Sequence, residues 1–242
     1  MPEATVRGQD PVISSSDSDA VAALYRDKVY RNAGNPALLA LVPADVRRVL
    51  DVGCGAGDNA RALKERGCGV WGVTLSEAEA ELARPHCEAV VVANTETTPL
   101  GLPLDYFDVL LLSHVVEHMI RPDVGLARLA RHLRPGGLAL LAVPNMANYR
   151  CRLRLLLGNW RREDGGPFDR THYHFWSYHT VDDIFQGAPL LIIRKIPGDP
   201  AVPLWALRRV LPRRCAHILD HLGGRVAPNL FAGQTLVVAR RE

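Results

Sequence analysis

From about residue 46 to residue 144, apolar strand-like runs alternate with amphipathic helical stretches. That alternation restricts the fold more than any other feature of the chain. VRRVLDVG reads as a buried strand running into a Gly-rich turn, and NARALKERG as a helix ended by Gly67. CGVWGVT is a second strand. SEAEAELAR is a helix with Ser76 at its cap and Glu79 three residues on, the capping-box spacing. EAVVVAN is a third strand, and FDVLLLSH a fourth whose unbroken apolar run calls for cover on both faces. VGLARLARHLRPGG reads as a helix with a Gly stop, and LALLAVP as the fifth strand. HTVDDIF resembles the next helix, LLIIRKI a sixth strand and QTLVVARR a last one. Strands alternating with helices predict an α/β fold, a Rossmann-like doubly wound sheet of seven strands, mostly parallel. Ligands of such sheets sit beyond the carboxyl ends of the strands.

The regions around this core are less regular. Residues 1–18 are polar and Ser/Asp-rich, and disorder is expected there. Residues 19–45 read as a helical cap: one helix from near Ala20, opened by Ser18 or Asp19, then a second in PALLALVP. Residues 46–242 form the main domain, with helical insertions after strands five and six at about 146–176 and 198–232. The chain has 242 residues, 48% of them hydrophobic, enough for one large domain core. A net charge of +3 gives no reason to expect a nucleic-acid or membrane partner. The five cysteines are odd in number and lack a C-x-x-C, which argues against a disulfide framework and a Cys-based zinc site. With no apolar run of signal-peptide or membrane-spanning length, a reducing cytoplasm is the expected compartment.

In LDVGCGAGDNA, Asp51 ends the first strand and Gly53, Gly55 and Gly57 follow at alternate positions. The G-x-G-x-G spacing differs from the G-x-G-x-x-G of dinucleotide binders and lacks the Lys-Ser/Thr ending of a P-loop. VLDVGCGAG resembles motif I of the class I S-adenosylmethionine (SAM) dependent methyltransferases, from about Val46 to Val143. The resemblance implies that Asp51 helps hold the methionine amino group. It also implies that the turn Gly53, Cys54, Gly55, Gly57 passes under methionine and ribose. Thr74, followed by Leu75, stands where that family usually has an acid against the ribose hydroxyls. Similar GVTLS strings occur in cyclopropane-synthase-like members. Asn94, with Thr95 beside it, falls where the family commonly has an Asp for the adenine amino group; Glu96 is a nearby substitute. Ser113 and Tyr30 complete the implied cofactor set. Tyr25, Tyr30 and Arg31 are candidates to close over the sulfonium, and a plain packing helix is the alternative.

SHVVEH, residues 113–118, contains the H-x-x-E-H spacing of one zinc peptidase class, but it follows a strand instead of lying within a long helix. It also resembles the segment after motif IV in ubiquinone-pathway O-methyltransferases and small-RNA 2′-O-methyltransferases. In the RNA enzymes two Glu, a His and a later His hold Mg²⁺. The matching set here is His114, Glu117, His118 and, in DRTHYHFW, His172. Three readings stay open. The four residues bind a divalent metal, softer than Mg²⁺ because of the imidazoles. Or a His takes the proton of an acceptor hydroxyl, oriented by Glu117 or Asp169. Or the segment only ties down the following loop.

The resemblance, closest to type 11 and MetW-like methyltransferases, implies an enzyme of the EC 2.1.1 class. It would transfer methyl from SAM to a small-molecule acceptor in sugar or natural-product biosynthesis. The His-rich pocket favours a hydroxyl oxygen over an amine. A SAM-fold partner subunit with little turnover and an RNA 2′-O-methyltransferase are the alternatives. The inserts are the candidate surface for a homodimer or a protein partner.

Overall fold

The computed structural model describes residue 29, residues 33–203 and residues 211–242. The expected helix near Ala20, the polar stretch 1–18, Tyr25, Tyr30 and Arg31 lie outside the described residues, as do residues 204–210 of the second insert.

Seven strands form one sheet: β1 (Arg48–Val52), β2 (Gly69–Thr74), β3 (Ala89–Val92), β4 (Phe107–Ser113), β5 (Leu133–Pro144), β6 (Leu190–Gly198) and β7 (Gln234–Arg241). Their order is β3-β2-β1-β4-β5-β7-β6. The first five pair in parallel, and β7 runs antiparallel to both β5 and β6. Side chains alternate between faces, as strand geometry requires. Leu50, Val52, Leu110 and Leu112 pack into one apolar cluster, while Val49, Val109 and Leu111 pack into the other. Leu110, Leu111 and Leu112 are wholly buried. At roughly 1.5–3 kcal/mol per buried Leu, these two layers supply much of the driving force for folding.

Helices cover both faces: α1 (Pro36–Leu39), α2 (Asp58–Glu65), α3 (Glu77–Ala83), α4 (Pro122–Ala130), α5 (Tyr149–Leu156), α6 (Arg213–Val226) and α7 (Pro228–Phe231). Chain order reverses between β1 and β4, the neighbours at the middle of the sheet. The crevice beyond their carboxyl ends is where such folds bind ligands.

Two expectations are corrected. The helix expected across VGLARLARHLRPGG stops at Ala130, and Leu133–Gly137 open β5 instead. Phe107 faces Leu133 while Val109 faces Leu138, so β5 carries the extra residues of a bulge there. Gly136 takes φ 74°, and a side chain on Gly137 would lie 2.9 Å from the Arg134 carbonyl oxygen. The glycines mark that bulge, not a helix stop. HTVDDIF forms a 3₁₀ turn over Val181–Phe185. Val181, Ile184 and Phe185 point into the core at helical spacing, but only one tight stretch is built.

Candidate functional site

A cavity of about 590 Å³ opens at the carboxyl ends of β1, β2 and β4. Gly53, Cys54, Gly55, Thr74 and Leu75 line it on one side, with Asn94, Thr95 and Ser113. His114, Glu117, His118, Asp169 and His172 line the other. The segment 164–167 from the first insert forms part of the wall.

Two of the expected cofactor residues do not line this cavity. Gly57 caps α2 with φ 85°, and a side chain there would lie 3.0 Å from Ala83 Cα. Its role is to let α2 and α3 approach. Asp51 is wholly buried beneath the turn, and neither carboxylate oxygen has a hydrogen-bond partner among the described residues. Burial raises its pKa from 3.8 to about 7. Burial first, then the Asp51 charge, pushes the Cys54 thiol up and carries Cys87 to about 12. Gly53 does belong to the cavity. It takes φ 70°, and a β-carbon there would lie 2.5 Å from Val115 Cγ2, so only glycine fits between the turn and the SHVVEH segment.

Thr74 is buried and its hydroxyl donates to Glu79 Oε2 at 2.5 Å, while accepting the Ser76 N–H at 3.1 Å. Glu79 is itself 6% exposed and lines the cavity. A carboxylate thus lines the cavity beside Thr74, placed in the first turn of α3 and not at the end of β2. Its capping-box position hid this, although Ser76 does accept the Glu79 N–H. Asn94 Oδ1 accepts the Glu96 N–H at 2.9 Å. The Glu96 carboxylate takes the N–H groups of Ile120 and Arg121, anchoring the start of α4.

SHVVEH ends β4 and turns sharply. His114 adopts φ 57°, and Val116–His118 form a single 3₁₀ turn. No helix carries both histidines, so the zinc-peptidase geometry is absent. Glu117, His118 and His172 do converge: one ligating atom of each lies within 4.8 Å of the others. The two imidazoles meet edge to face at 4.7 Å. His118 Nδ1 lies 3.2 Å from the Thr171 carbonyl oxygen and 2.9 Å from its hydroxyl. A carbonyl only accepts, so Nδ1 carries the proton. The Thr171 hydroxyl donates in turn to Asp169 Oδ1 at 2.5 Å. Asp169 thus reaches His118 through Thr171, a residue not singled out in the sequence. His172 Nδ1 faces the Pro167 carbonyl oxygen at 3.3 Å, which fixes the same tautomer. In the neutral form of each ring, Nε2 is then the nitrogen left with a lone pair. Arg162 clamps the loop through the carbonyl oxygens of Asp169, Arg170 and His172.

Glu117 is 1% exposed, and neither carboxylate oxygen has a hydrogen-bond partner among the described residues. His114 Nδ1 lies 3.3 Å from its Oε1 as an ion pair. His114 does not enter the three-residue cluster, contrary to the four-residue set expected. Its Nε2 is taken by Gln234 Oε1 at 3.0 Å, which also accepts from Asn35 Nδ2 at 3.1 Å. Asn35 donates further to Ser113 Oγ. Burial lowers the His114 pKa, but the Glu117 bond and charge, then Gln234 and Asp199, outweigh it, so the net shift is upward. For His172, burial dominates and lowers the pKa, with Glu117 opposing and His118 adding.

A sequence profile described as a methyltransferase domain matches residues 22–193. The chain is 33% identical over 124 residues to a ubiquinone biosynthesis O-methyltransferase of Mesorhizobium japonicum, covering 50% of this chain and 49% of that protein. It is 29% identical over 170 residues to one of the same description from Cereibacter sphaeroides, covering 67% and 64%. The matches thus span about half to two thirds of the curated relatives' length. Among solved structures, a SAM-dependent methyltransferase from Archaeoglobus fulgidus aligns with TM-score 0.62 at 18% identity over 93% of this chain and 94% of that one. Another from Mesorhizobium loti aligns with TM-score 0.59 at 21% identity over 87% and 98%. These structural likenesses establish a common fold. Among the described residues, no helix is long and apolar enough to cross a membrane.

Proposed function

The chain belongs to the methyltransferase domain family, and from that premise we propose that it transfers the methyl group of SAM to a hydroxyl oxygen of a small molecule. The observation that carries the oxygen acceptor is the Glu117, His118, His172 cluster, which lines the same cavity as the Gly-rich turn. An amine arrives neutral and needs no such group. A hydroxyl gains from a base placed at its proton.

In this reading SAM lies along Gly53–Gly55 with its ribose against Thr74 and Glu79. The acceptor oxygen is held about 3 Å from the methyl carbon, in line with the departing sulfur. The new C–O bond forms as the C–S bond breaks, and the sulfur leaves as a neutral thioether. The acceptor proton passes to His172 Nε2. Glu117 stabilises the imidazolium that results, and Pro167 holds the ring in its tautomer. His118, tied back through Thr171 to Asp169, fixes the opposite wall.

The same side chains also fit a divalent cation, because one ligating atom from each of Glu117, His118 and His172 lies within 4.8 Å of the others and Glu117 is buried. Glu117, His118 and His172 would hold it, and a bound Zn²⁺, Mn²⁺ or Fe²⁺ would make the acceptor hydroxyl more acidic.

Calorimetric titration with S-adenosylhomocysteine (SAH), once with EDTA and once with Mn²⁺ or Zn²⁺, tests both parts. Micromolar binding in EDTA is the expected result, and absence of binding would sink the proposal. A heat that needs metal and vanishes in His118→Ala would move the chemistry from base to cation. At the cofactor end, Glu79→Gln is expected to weaken SAH by about tenfold or more, the scale of a lost charge-assisted hydrogen bond. Thr74→Val should cost less. Equal affinities for wild type and Glu79→Gln would return Glu79 to a purely local role.

A further inference from the structure

The main cavity carries one sign of charge. Seven of its lining residues are Asp or Glu, and none of the described lining residues is Lys or Arg. The arginines of the neighbouring insert are turned elsewhere: Arg162 donates to backbone carbonyl oxygens of the 169–172 loop, and Arg154 lies over the Phe168 ring. Three of the acids are tied to the histidines. Glu117 sits in the cluster itself, Asp169 reaches His118 through Thr171, and Asp199 reaches His114 through the Gln234 side chain. Asp199 differs from the others in its partner. Asp164 pairs with Arg170 and Glu117 with His114, each at 3.3 Å, whereas Asp199 Oδ2 takes its bond from the uncharged Gln234 amide. A carboxylate accepts several bonds, so this one leaves Asp199 capacity for a further donor. Glu117 points the same way. It is 1% exposed, lines the cavity and has no hydrogen-bond donor on either oxygen among the described residues.

We propose that the acceptor is a hydroxy compound carrying an ammonium group, with the ammonium seated on Asp199 and the hydroxyl at His172. A cleft lined by one sign of charge focuses its field on whatever enters. SAM brings a single net positive charge, from a sulfonium beside a zwitterionic amino acid, so the cavity stays negative with the cofactor in place. An ammonium has three donors, and one of them can reach Asp199 without displacing Gln234. A carboxylate or phosphate on the acceptor would enter against the lining charge and meet no Lys or Arg among the described lining residues. The proposal rests on the methyl-transfer reading for what happens to the hydroxyl; the charge preference rests on the lining alone.

The test titrates SAH-loaded protein with three phenols of nearly one shape: tyramine, which is cationic, tyrosol, which is neutral, and 4-hydroxyphenylacetate, which is anionic. Tyramine is expected to bind about tenfold or more tighter than tyrosol, the scale of one charge-assisted hydrogen bond, with 4-hydroxyphenylacetate weaker than both. In Asp199→Asn the preference for tyramine should fall below about threefold, the same scale lost, with SAH affinity unchanged. Asn keeps the volume of Asp and tolerates the left-handed backbone, φ 45°, found at this position. Asp164→Asn, at the exposed pair with Arg170, is the second variant and should leave the preference as it is in wild type. If Asp199→Asn does not fold, as a thermal melt would show, the charge series on wild type and on Asp164→Asn decides. Equal binding of the three phenols, tightest binding of the anion, binding of none, a preference that survives in Asp199→Asn or one lost in Asp164→Asn would each overturn the proposal. SAH binding is measured first and separately. Its failure would remove the methyl-transfer reading, while the charge preference is then read on the ligand-free protein.

Discussion

Glu117→Gln is expected to abolish methyl transfer, by at least a hundredfold in kcat, while leaving SAH affinity within about twofold of wild type. General acid–base groups contribute roughly 10²–10⁴ in rate, and a neutral amide neither stabilises an imidazolium nor holds a cation. Gln keeps the volume of Glu, and the change removes a buried charge that has only an ion pair with His114 for company. The ligand-free variant should therefore melt no lower than wild type. His172→Ala should lose activity to a similar degree. His118→Ala should lose less if the proton goes to His172, and as much if a cation is bound. The measurement is single-turnover methyl transfer from SAM, followed by mass spectrometry of the methylated acceptor, with a thermal melt of each variant. Retained turnover in Glu117→Gln would assign the cluster to structure, as a tether between the β4 end and the first insert. That tether exists in any case, since the Glu117 carbonyl oxygen accepts from the Tyr173 N–H at 2.8 Å.

The parts of this molecule legible in the sequence are those set by neighbours in the chain. β4 is legible because the four consecutive apolar residues between Asp108 and Ser113 can only be buried on both faces, and they are. The Gly-rich turn is legible because its φ values, 70° at Gly53 and 85° at Gly57, exclude other residues. What the glycines do is not legible from spacing. Gly53 clears Val115, whereas Gly57 clears Ala83 and sits away from the cavity.

The unreadable parts are made across distance. Gln234 holds His114 from 120 residues away and Asn35 from 199. No local pattern announces either pairing, and it is this network that draws His114 away from the other two histidines. Glu79 was hidden by a local pattern that fits it equally well, since its N–H does bond to Ser76 while its carboxylate goes to Thr74. Thr171 is a third case. Only the folded loop shows that a hydroxyl links Asp169 to His118. The bulge at Gly136 misled because the same dipeptide ends helices as readily as it kinks strands.

Asp51→Asn is expected to stabilise the ligand-free protein, and the gain should depend on pH in a direction unusual for a carboxylate. The folded-state pKa of about 7 exceeds the ordinary value of 3.8. Between those values the folded chain keeps a proton that the unfolded chain has lost. The Asp51 contribution to stability is thus greatest below about pH 4 and falls as pH rises toward 7, reaching a penalty of roughly 4 kcal/mol above it. Other carboxylates pull the opposite way. Asp108, despite burial, is held below its ordinary range by bonds from Arg48, Arg134 and Arg47. The difference between wild type and Asp51→Asn, measured by thermal or urea melts from pH 4 to 8, isolates the single group. It should open by several degrees across that window and flatten near pH 8. Parallel curves would show that Asp51 ionises in the fold as freely as in the open chain. The sequence resemblance to the methyltransferases implies that the ammonium group of the cofactor neutralises this charge, which in the empty protein lies behind the cavity wall. SAH at pH 8 should therefore raise the melting point of wild type by more than that of Asp51→Asn, closing part of the gap between them. A residue that weakens the empty protein and strengthens the loaded one has its stability cost explained by binding, and an equal SAH response in both proteins would leave that cost without a function.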